Sequence, residues 1–304
     1  MAMLFVLIAV LTIPLGLDLY MPVPEDNPIT AEKIAQGRAL FNDRRLSRDG
    51  TVACVSCHDP ARAFSKPDAI TPGVFGRRGT RHPPALINRG WGRSFFWDGR
   101  AVTLEEQVLK PIEDPNEMDL PIAEASQRVG IAPQDLARAL AAYIRSLLSG
   151  DSAYDRYVNG DRDALSTEQQ AGLALFRGKG NCTACHVGPN FSDEHFHNTG
   201  IAWRAVAGRA GALLDEGRAA ATGKPEDRGA FKTPTLREAV RTPPYMHDGS
   251  MASLPDVVQF YDEGGRANAN RDPELRPLHL TPNEKQALVA FLGSLSGTIL
   301  DGVR

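Results

Sequence analysis

Residues 54–58 read Cys54-Val55-Ser56-Cys57-His58, and the same spacing returns as Cys182-Thr183-Ala184-Cys185-His186. A C-x-x-C-H motif is typical of a c-type haem attachment site. The two thiols bond to the two vinyl groups of one porphyrin, and the histidine that follows, His58 or His186, binds the iron. The chain has four cysteines and the two motifs use them all. The sequence therefore predicts two covalently bound haem c groups.

Other sites built from C-x-x-C pairs explain the pattern less well. A zinc site made of two such pairs spaces them by roughly 15–20 residues, whereas these pairs lie in different halves of the chain. A thioredoxin-like redox pair or a structural disulfide does not require a histidine after the second cysteine. Here that histidine is present both times, which favours haem.

Length and charge limit the classes of function. A chain of 304 residues predicts about two domains of roughly 150 residues each. Hydrophobic residues make up 42% of the chain, enough for each half to build a core. The net charge of −3 gives no indication of nucleic-acid binding or of a general attraction to membrane surfaces.

The N-terminus carries an almost uninterrupted apolar run over residues 3–17. A spanning helix needs about 20 residues, and no Lys or Arg precedes the run as in a typical export signal. We interpret residues 1–26 as a signal peptide or an N-terminal membrane anchor. Export agrees with haem c, which is normally attached outside the cytoplasm. The predicted location is the periplasm, with a tether to the inner membrane as an open alternative.

An internal repeat surrounds the two motifs. Gly37-Arg38-Ala39-Leu40-Phe41 precedes the first, and Gly172-Leu173-Ala174-Leu175-Phe176 precedes the second. Similar helical patterns close the two halves at residues 142–147 and 290–295. Capping boxes are predicted where Ser166 is followed by Gln169 and where Thr281 is followed by Glu284.

The repeat predicts a mainly α chain of two tandem cytochrome c-like domains. Each is built around one covalently bound haem c and contains long irregular loops. The predicted boundaries are residues 27–155 for the domain with the first haem and residues 156–304 for the domain with the second.

The segment after the first motif is rich in arginine. Guanidinium groups bind carboxylates well, so these residues could hold haem propionates. A solvated basic face that docks a partner is the alternative, and both stay open. The residues are Arg77, Arg78, Arg81, Arg89, Arg93 and Arg100.

With these motifs the chain resembles the bacterial di-haem cytochrome c peroxidases and their relatives of the MauG type. The similarity runs from about residue 27 to residue 297. Besides the two C-x-x-C-H sites, it is carried by Phe96-Trp97-Asp98-Gly99-Arg100, by the spacing of Gln107, Pro111 and Glu117, by Phe231-Lys232-Thr233-Pro234-Thr235-Leu236-Arg237 and by Pro244-Tyr245-Met246-His247-Asp248-Gly249.

The resemblance implies a role for each matching residue. His58 would be the proximal ligand of a peroxidatic haem, with Gln107 and Glu117 on its open distal side. His186 would be the proximal ligand of the second, electron-transfer haem. Trp97 would lie between the two haems as the electron path.

The resemblance also implies a calcium ion between the domains, bound by the carbonyls of Thr242 and Pro244 and by an asparagine side chain. This chain has His82 at the asparagine position, and imidazole is a poor calcium ligand. Calcium and no calcium both stay open. Many of these peroxidases carry a loop histidine that blocks the peroxidatic haem, but that position falls near Val74 here. The first haem is therefore expected to be open, with His82 as a blocking ligand the alternative.

The distal ligand of the second haem is methionine in most of the peroxidases, and that position corresponds to Tyr261 here. Tyrosine at this position is the pattern of the MauG-type relatives. A phenolate favours ferric iron and lowers the reduction potential. Met246 and Met251 are the alternative ligands. Without the resemblance, Tyr261 would be interpreted as a buried aromatic residue with a satisfied hydroxyl group.

The resemblance implies a periplasmic di-haem cytochrome c peroxidase that reduces hydrogen peroxide to water. A small cytochrome c or a cupredoxin would supply the electrons, and a homodimer is a family expectation. One alternative is a MauG-like oxidase of a protein or organic substrate. The other is a non-enzymatic two-haem electron carrier, against which Glu117 and Gln107 argue, since a carrier has no use for a distal acid.

Overall fold

The computed structural model describes residues 11–206 and 209–302. Helix is the main regular element within these ranges, and long irregular segments connect the helices. The helices are α1 (Ala31–Phe41), α2 (Cys54–Cys57), α3 (Leu104–Gln107), α4 (Lys110–Glu113), α5 (Ile122–Val129), α6 (Pro133–Arg145), α7 (Ala153–Val158), α8 (Thr167–Arg177), α9 (Ala219–Thr222), α10 (Leu254–Asp262) and α11 (Pro282–Gly293).

The strands form small two-stranded antiparallel sheets that pair β1 with β6, β2 with β5 and β3 with β4. In the first sheet Leu148 pairs with Leu300, and the Tyr143 hydroxyl donates to Asp301 Oδ1 at 2.8 Å. The C-terminal strand therefore returns to the first half of the chain. The strands are β1 (Leu147–Gly150), β2 (Phe196–His197), β3 (Trp203–Val206), β4 (Arg209–Leu213), β5 (Phe231–Lys232) and β6 (Thr298–Asp301).

Helices α1 and α6 form the framework of the first half. A Cβ atom at Gly37 would lie 2.0 Å from the Ala139 carbonyl oxygen and 2.7 Å from Tyr143 Cβ. Only glycine allows the two backbones to approach this closely. Helix α1 begins after Thr30, whose side chain accepts a hydrogen bond from Lys33 N and so satisfies one free amide of the first turn.

Helices α8 and α11 repeat this arrangement in the second half. A Cβ atom at Gly172 would lie 2.0 Å from the Ala287 carbonyl oxygen and 2.7 Å from Phe291 Cβ. The capping boxes predicted at Ser166 and Thr281 are confirmed. The sequence repeat is thus a repeat of helix packing.

Within the described residues, buried apolar side chains form three clusters. The largest is made of residues between Ile29 and Leu147, and the second of residues between Leu165 and Leu295. The third is small and contains Phe231, with Trp97 packed against it. It lies where the two halves meet, because Trp97 belongs to the first half and Phe231 to the second.

The predicted signal or anchor segment is described in part. Residues 1–10 lie outside the described residues, and residues 11–26 contain no helix. This later part lies against the body of the protein: Leu17 is buried, and Asp151 N donates to the Leu15 carbonyl at 2.8 Å. Over the described ranges, no helix has the length and apolarity needed to cross a membrane.

Candidate haem sites

The first C-x-x-C-H motif forms a single helical turn. Helix α2 spans Cys54 to Cys57, and the amide of His58 donates to the Cys54 carbonyl at 3.0 Å. Ser56 Oγ accepts from the amide of Ala53 at 3.1 Å and fixes the start of the turn. The short helix therefore presents two free thiols and then the imidazole.

One ring nitrogen of His58 is hydrogen-bonded to the backbone. Its Nδ1 lies 2.8 Å from the Phe64 carbonyl oxygen, and Phe64 has a left-handed φ of 59°. Because a carbonyl only accepts, Nδ1 carries the proton and Nε2 keeps a free lone pair. Burial lowers the pKa of His58 to about 4, so the imidazole is neutral near pH 7. A neutral, oriented imidazole is what a metal ligand requires.

The second motif repeats the geometry of the first. Residues Cys182–Ala184 form one turn of 3-10 helix, and the amide of His186 donates to the Cys182 carbonyl at 2.8 Å. His186 Nδ1 lies 2.8 Å from the carbonyl oxygen of Phe191, which has a φ of 51°. Burial lowers the pKa of His186 as well.

These residues fit two haem c groups. All four cysteines are free. Burial raises the pKa of Cys54 to about 12 and of Cys57 to about 11, and it raises the pKa of Cys182 to about 12. In each motif one cysteine lies one turn before the oriented imidazole and the other directly precedes it, as attachment to a porphyrin requires.

Glu117 lies in the electrostatic environment of the first motif. Its side chain is half-buried, and its carbonyl accepts from Val74 N at 2.8 Å. Burial raises the pKa of Glu117 to about 7; the charge of Asp114 adds to this rise and Arg100 opposes it. Glu117 in turn contributes to the raised pKa of Cys57. A carboxyl group that exchanges its proton near neutral pH therefore lies close to the first site.

Gln107 is the last residue of α3 and is half-buried. Its amide donates to the Thr103 carbonyl at 3.0 Å. The segment that carries Glu117 is hydrogen-bonded to α4, because Met118 N donates to the Pro111 carbonyl at 3.2 Å. Residues 107–117 thus form one folded segment of the first half.

Trp97 lies at the junction of the two halves. Its Nε1 donates to the His82 carbonyl at 2.8 Å, and its own carbonyl accepts from Lys232 N at 2.8 Å. The ring is half-buried against the third apolar cluster, together with Tyr261. The structure thus brings two predicted site residues from different halves to one cluster.

Tyr261 lies on α10 near the second motif. Burial raises its pKa, and Cys185 and Cys182 add to this shift. Met246 and Met251 also pack against the third cluster. The three candidate distal ligands therefore share one region, on the side of the second motif.

The positions named for calcium lie near the same junction. Thr242 ends a turn that begins at Ala239, and the peptide between Pro243 and Pro244 is cis. His82 is buried, and its ring nitrogens contact oxygen atoms of the protein. The chain therefore supplies no side-chain oxygen at position 82.

Two of the arginines form ion pairs between the halves, a role that the sequence did not indicate. Arg81 binds Asp98 at 2.5 Å and Asp215 at 2.8 Å. Arg89 donates to both carboxylate oxygens of Glu194, at 3.0 and 3.1 Å. Arg81 and Arg89 come from the first half, and Asp215 and Glu194 come from the second.

His197 is a further charged group near the second motif, and no role for it was predicted from the sequence. Its ring lies between Asp193 at 2.8 Å and Asp272 at 2.5 Å. Hydrogen bonding to Cys185, and then to the two carboxylates, raises the pKa of His197 to about 10. Asp272 lies far along the chain, so only the fold brings this group together.

Comparison with known proteins identifies the family. Residues 31–163 match the family model described as di-haem cytochrome c peroxidase. The chain is 37% identical to cytochrome-c peroxidase IdrP1 of Pseudomonas sp. strain SCT, over 91% of this chain and 84% of that protein. It is 38% identical to the methylamine utilization protein MauG of Methylorubrum extorquens, over 90% of this chain and 81% of that protein.

Solved structures agree with the sequence comparison. A MauG-like protein associated with microbial copper homeostasis is 35% identical and superposes with a TM-score of 0.83, covering 93% of this chain and 94% of that one. The di-haem peroxidase BthA of Burkholderia thailandensis is 26% identical, with a TM-score of 0.76, over 90% of this chain and 87% of that one. The chain belongs to the family of di-haem cytochrome c peroxidases and MauG proteins.

Proposed function

We propose that the chain is a periplasmic di-haem cytochrome c peroxidase. It would reduce hydrogen peroxide to two molecules of water, with two protons and with two electrons from a small cytochrome c or a cupredoxin. The observation that carries this proposal is Glu117, a half-buried carboxyl group with a pKa of about 7 in the environment of the first C-x-x-C-H motif.

In this proposal the halves, residues 27–155 and 156–304, are cytochrome c-like domains. Cys54 and Cys57 bind one haem c and Cys182 and Cys185 the other. When bound, the haem held by His58 would supply an iron that binds peroxide, and the haem held by His186 would supply an iron that exchanges electrons. The common support of the two histidines, with each Nδ1 at 2.8 Å from a carbonyl, favours this assignment.

Glu117 moves the proton in the proposed reaction. Peroxide reduction requires a group that takes a proton from one oxygen atom and returns it to the other. A pKa of about 7 suits both steps, because neither protonation state is strongly favoured near neutral pH. Gln107 orients the substrate by donating from its side-chain amide, which is neutral and remains a donor at every pH.

Trp97 connects the two sites in the proposal. Its ring packs against the third apolar cluster, to which Tyr261 also belongs. The hydrogen bond from Nε1 to the His82 carbonyl fixes the orientation of the indole. An indole held between the halves is a suitable group for electron transfer from the second site to the first.

A MauG-like oxidase is the second candidate, and Tyr261 favours it. The residue lies on α10 close to Cys182 and Cys185, where a phenolate would stabilise an oxidised second haem. MauG of Methylorubrum extorquens is 38% identical to this chain. In this candidate the two oxidising equivalents pass to a protein or organic substrate, while the proton transfer by Glu117 is unchanged.

Replacing Glu117 by Gln tests the proposal. Without a proton acceptor we expect a loss of peroxide turnover of about 10²–10⁴-fold, with haem content unchanged. The matched control is Glu113→Gln, which removes an exposed carboxyl group four residues earlier, at the end of α4, and should leave turnover unchanged. Full turnover in Glu117→Gln would remove Glu117 from the mechanism. If wild type shows two low-spin, six-coordinate haems and no reaction with peroxide, the chain is an electron carrier.

A further inference from the structure

The His82 side chain fills a pocket of oxygen atoms and is only 4% exposed. Its Nδ1 lies 3.2 Å from the carbonyl oxygens of Asp68 and Ala69. Its Nε2 lies 3.2 Å from Ser65 Oγ. Because carbonyls only accept, Nδ1 carries the proton. The Ser65 hydroxyl donates to the Pro83 carbonyl at 2.8 Å, and Nε2 faces the oxygen of that hydroxyl. Burial lowers the pKa of His82, in agreement with this neutral form.

The main chain of His82 joins the two halves. Its amide donates to the His247 carbonyl at 2.6 Å, and its carbonyl accepts from Trp97 Nε1 at 2.8 Å. The segments around it are in contact, since a Cβ atom at Gly249 would lie 2.6 Å from Ala69 Cα. One residue thus connects the loop at 65–69, the tryptophan of the first half and the 247–249 segment of the second half.

Three of the carboxylates at this junction are already paired with arginines. Asp98 and Asp215 bind Arg81 at 2.5 and 2.8 Å. Asp248 lies 3.3 Å from Arg204 Nη2. Calcium takes six to eight oxygen ligands, usually including carboxylates, at about 2.3–2.6 Å. A divalent ion here would have to compete with these guanidinium groups for the carboxylates.

The residues therefore do not fit the calcium ion that the family implies at this place. The position that should give a side-chain oxygen gives a ring nitrogen, and the Asp68 and Ala69 carbonyls accept from that ring. We propose that His82 stabilises the junction without a metal ion: its ring is anchored on the 65–69 loop, and its main chain is hydrogen-bonded to His247 and Trp97. The junction, and the orientation of Trp97 within it, are then independent of calcium.

The test is calcium binding by the holoprotein, so it does not depend on the proposed reaction. Purified wild type, His82→Asn and His279→Asn are treated with a chelator. Their calcium content and thermal midpoints are measured with and without added CaCl₂. Asparagine restores a side-chain oxygen at position 82. His279 is exposed, and its left-handed φ of 54° suits asparagine, which makes it the matched control.

We expect wild type and His279→Asn to contain no stoichiometric calcium and to keep their midpoints in chelator. We expect His82→Asn to have a lower midpoint that CaCl₂ raises by several degrees, as ligand binding to the native state requires. One calcium per wild-type chain, with a midpoint that falls in chelator, would overturn the proposal. A folded His82→Asn that does not respond to calcium would also overturn it. If His82→Asn does not fold, the wild-type measurements still decide.

Discussion

His58 in the first half and His186 in the second are supported alike. In each case Nδ1 lies 2.8 Å from the carbonyl of a phenylalanine, Phe64 or Phe191. Both phenylalanines have left-handed φ angles, of 59° and 51°, which turn the carbonyl toward the ring. The proximal side of each predicted haem is thus built from the same backbone geometry.

The likeness extends to the segments that follow. Phe95 bridges to Ala101 around the Trp97 turn, and Tyr245 bridges to Met251 around the equivalent turn. Residues 96 and 246 have φ angles of 67° and 73° at the same point of the turn. Trp97 and His247 therefore occupy equivalent places, although one is a half-buried indole and the other a buried imidazole.

The halves differ in the groups that face the predicted chemistry. The first half has Glu117, whose pKa is raised to about 7. The second half has Tyr261, whose hydroxyl pKa is raised above its ordinary value by burial. The helical framework is duplicated and the reactive side chains are not, so the framework and the chemistry of each half can be tested separately.

The largest effect is expected where the frameworks are equivalent. Gly37→Ala and Gly172→Ala each place a Cβ atom 2.0 Å from a backbone oxygen of the facing helix. The helices must separate, so each change should lower the free energy of unfolding by about 3 kcal/mol. Denaturant unfolding of the holoprotein measures this loss, and the two losses should be similar.

Gly293→Ala is the control for these variants. A Cβ atom at Gly293 meets no atom within 4 Å, so this change should alter stability by no more than about 1 kcal/mol. If Gly37→Ala and Gly172→Ala differ as much from each other as from this control, the two helix pairs are not equivalent.

Local sequence patterns were sufficient to predict the framework. The C-x-x-C-H motifs and the caps at Ser166 and Thr281 depend on neighbours within a few positions, and the caps are confirmed. The repeat around Gly37 and Gly172 was evident in the sequence, but the close helix approach at these two glycines was not predicted. The pairing of β1 with β6 joins Leu148 to Leu300. Such a contact follows from the three-dimensional packing and leaves no local signal.

The residue types of the site could be predicted from the sequence, but the hydrogen-bond partners that orient these residues could not. Glu117 and Tyr261 could be singled out only through the family spacing. The acceptors of His58 and His186 are backbone carbonyls, whose direction depends on a left-handed phenylalanine that no residue preference indicates. The partners of His82 come from residues 65–69 and from His247, which are brought together only by the fold.

A smaller effect is expected in the pH dependence of the peroxide reaction, which depends on Glu117 of the first half. Glu117 must be deprotonated to accept a proton from peroxide, and its pKa is about 7. The rate of the peroxide reaction should therefore rise roughly tenfold from about pH 6 to about pH 8, equivalent to about 1.4 kcal/mol. Stopped-flow measurements would give the profile. In Glu117→Gln the residual rate should show no such rise, and a rise that persists would assign the titration to another group.

The smallest effect on stability is expected for Tyr261→Phe, which keeps the ring and should cost less than about 1 kcal/mol. Its effect should appear in the spectrum of the second haem alone, because Tyr261 lies near Cys182 and Cys185. Tyr245→Phe is the control: its hydroxyl donates to the Ala239 carbonyl at 3.0 Å, and both haem spectra should remain unchanged. If the spectrum of the second haem changes in Met251→Leu but not in Tyr261→Phe, the distal ligand is Met251 and not Tyr261. The second half would then resemble an electron-transfer site of the peroxidase type, and the case for a MauG-like oxidase would lose its main support.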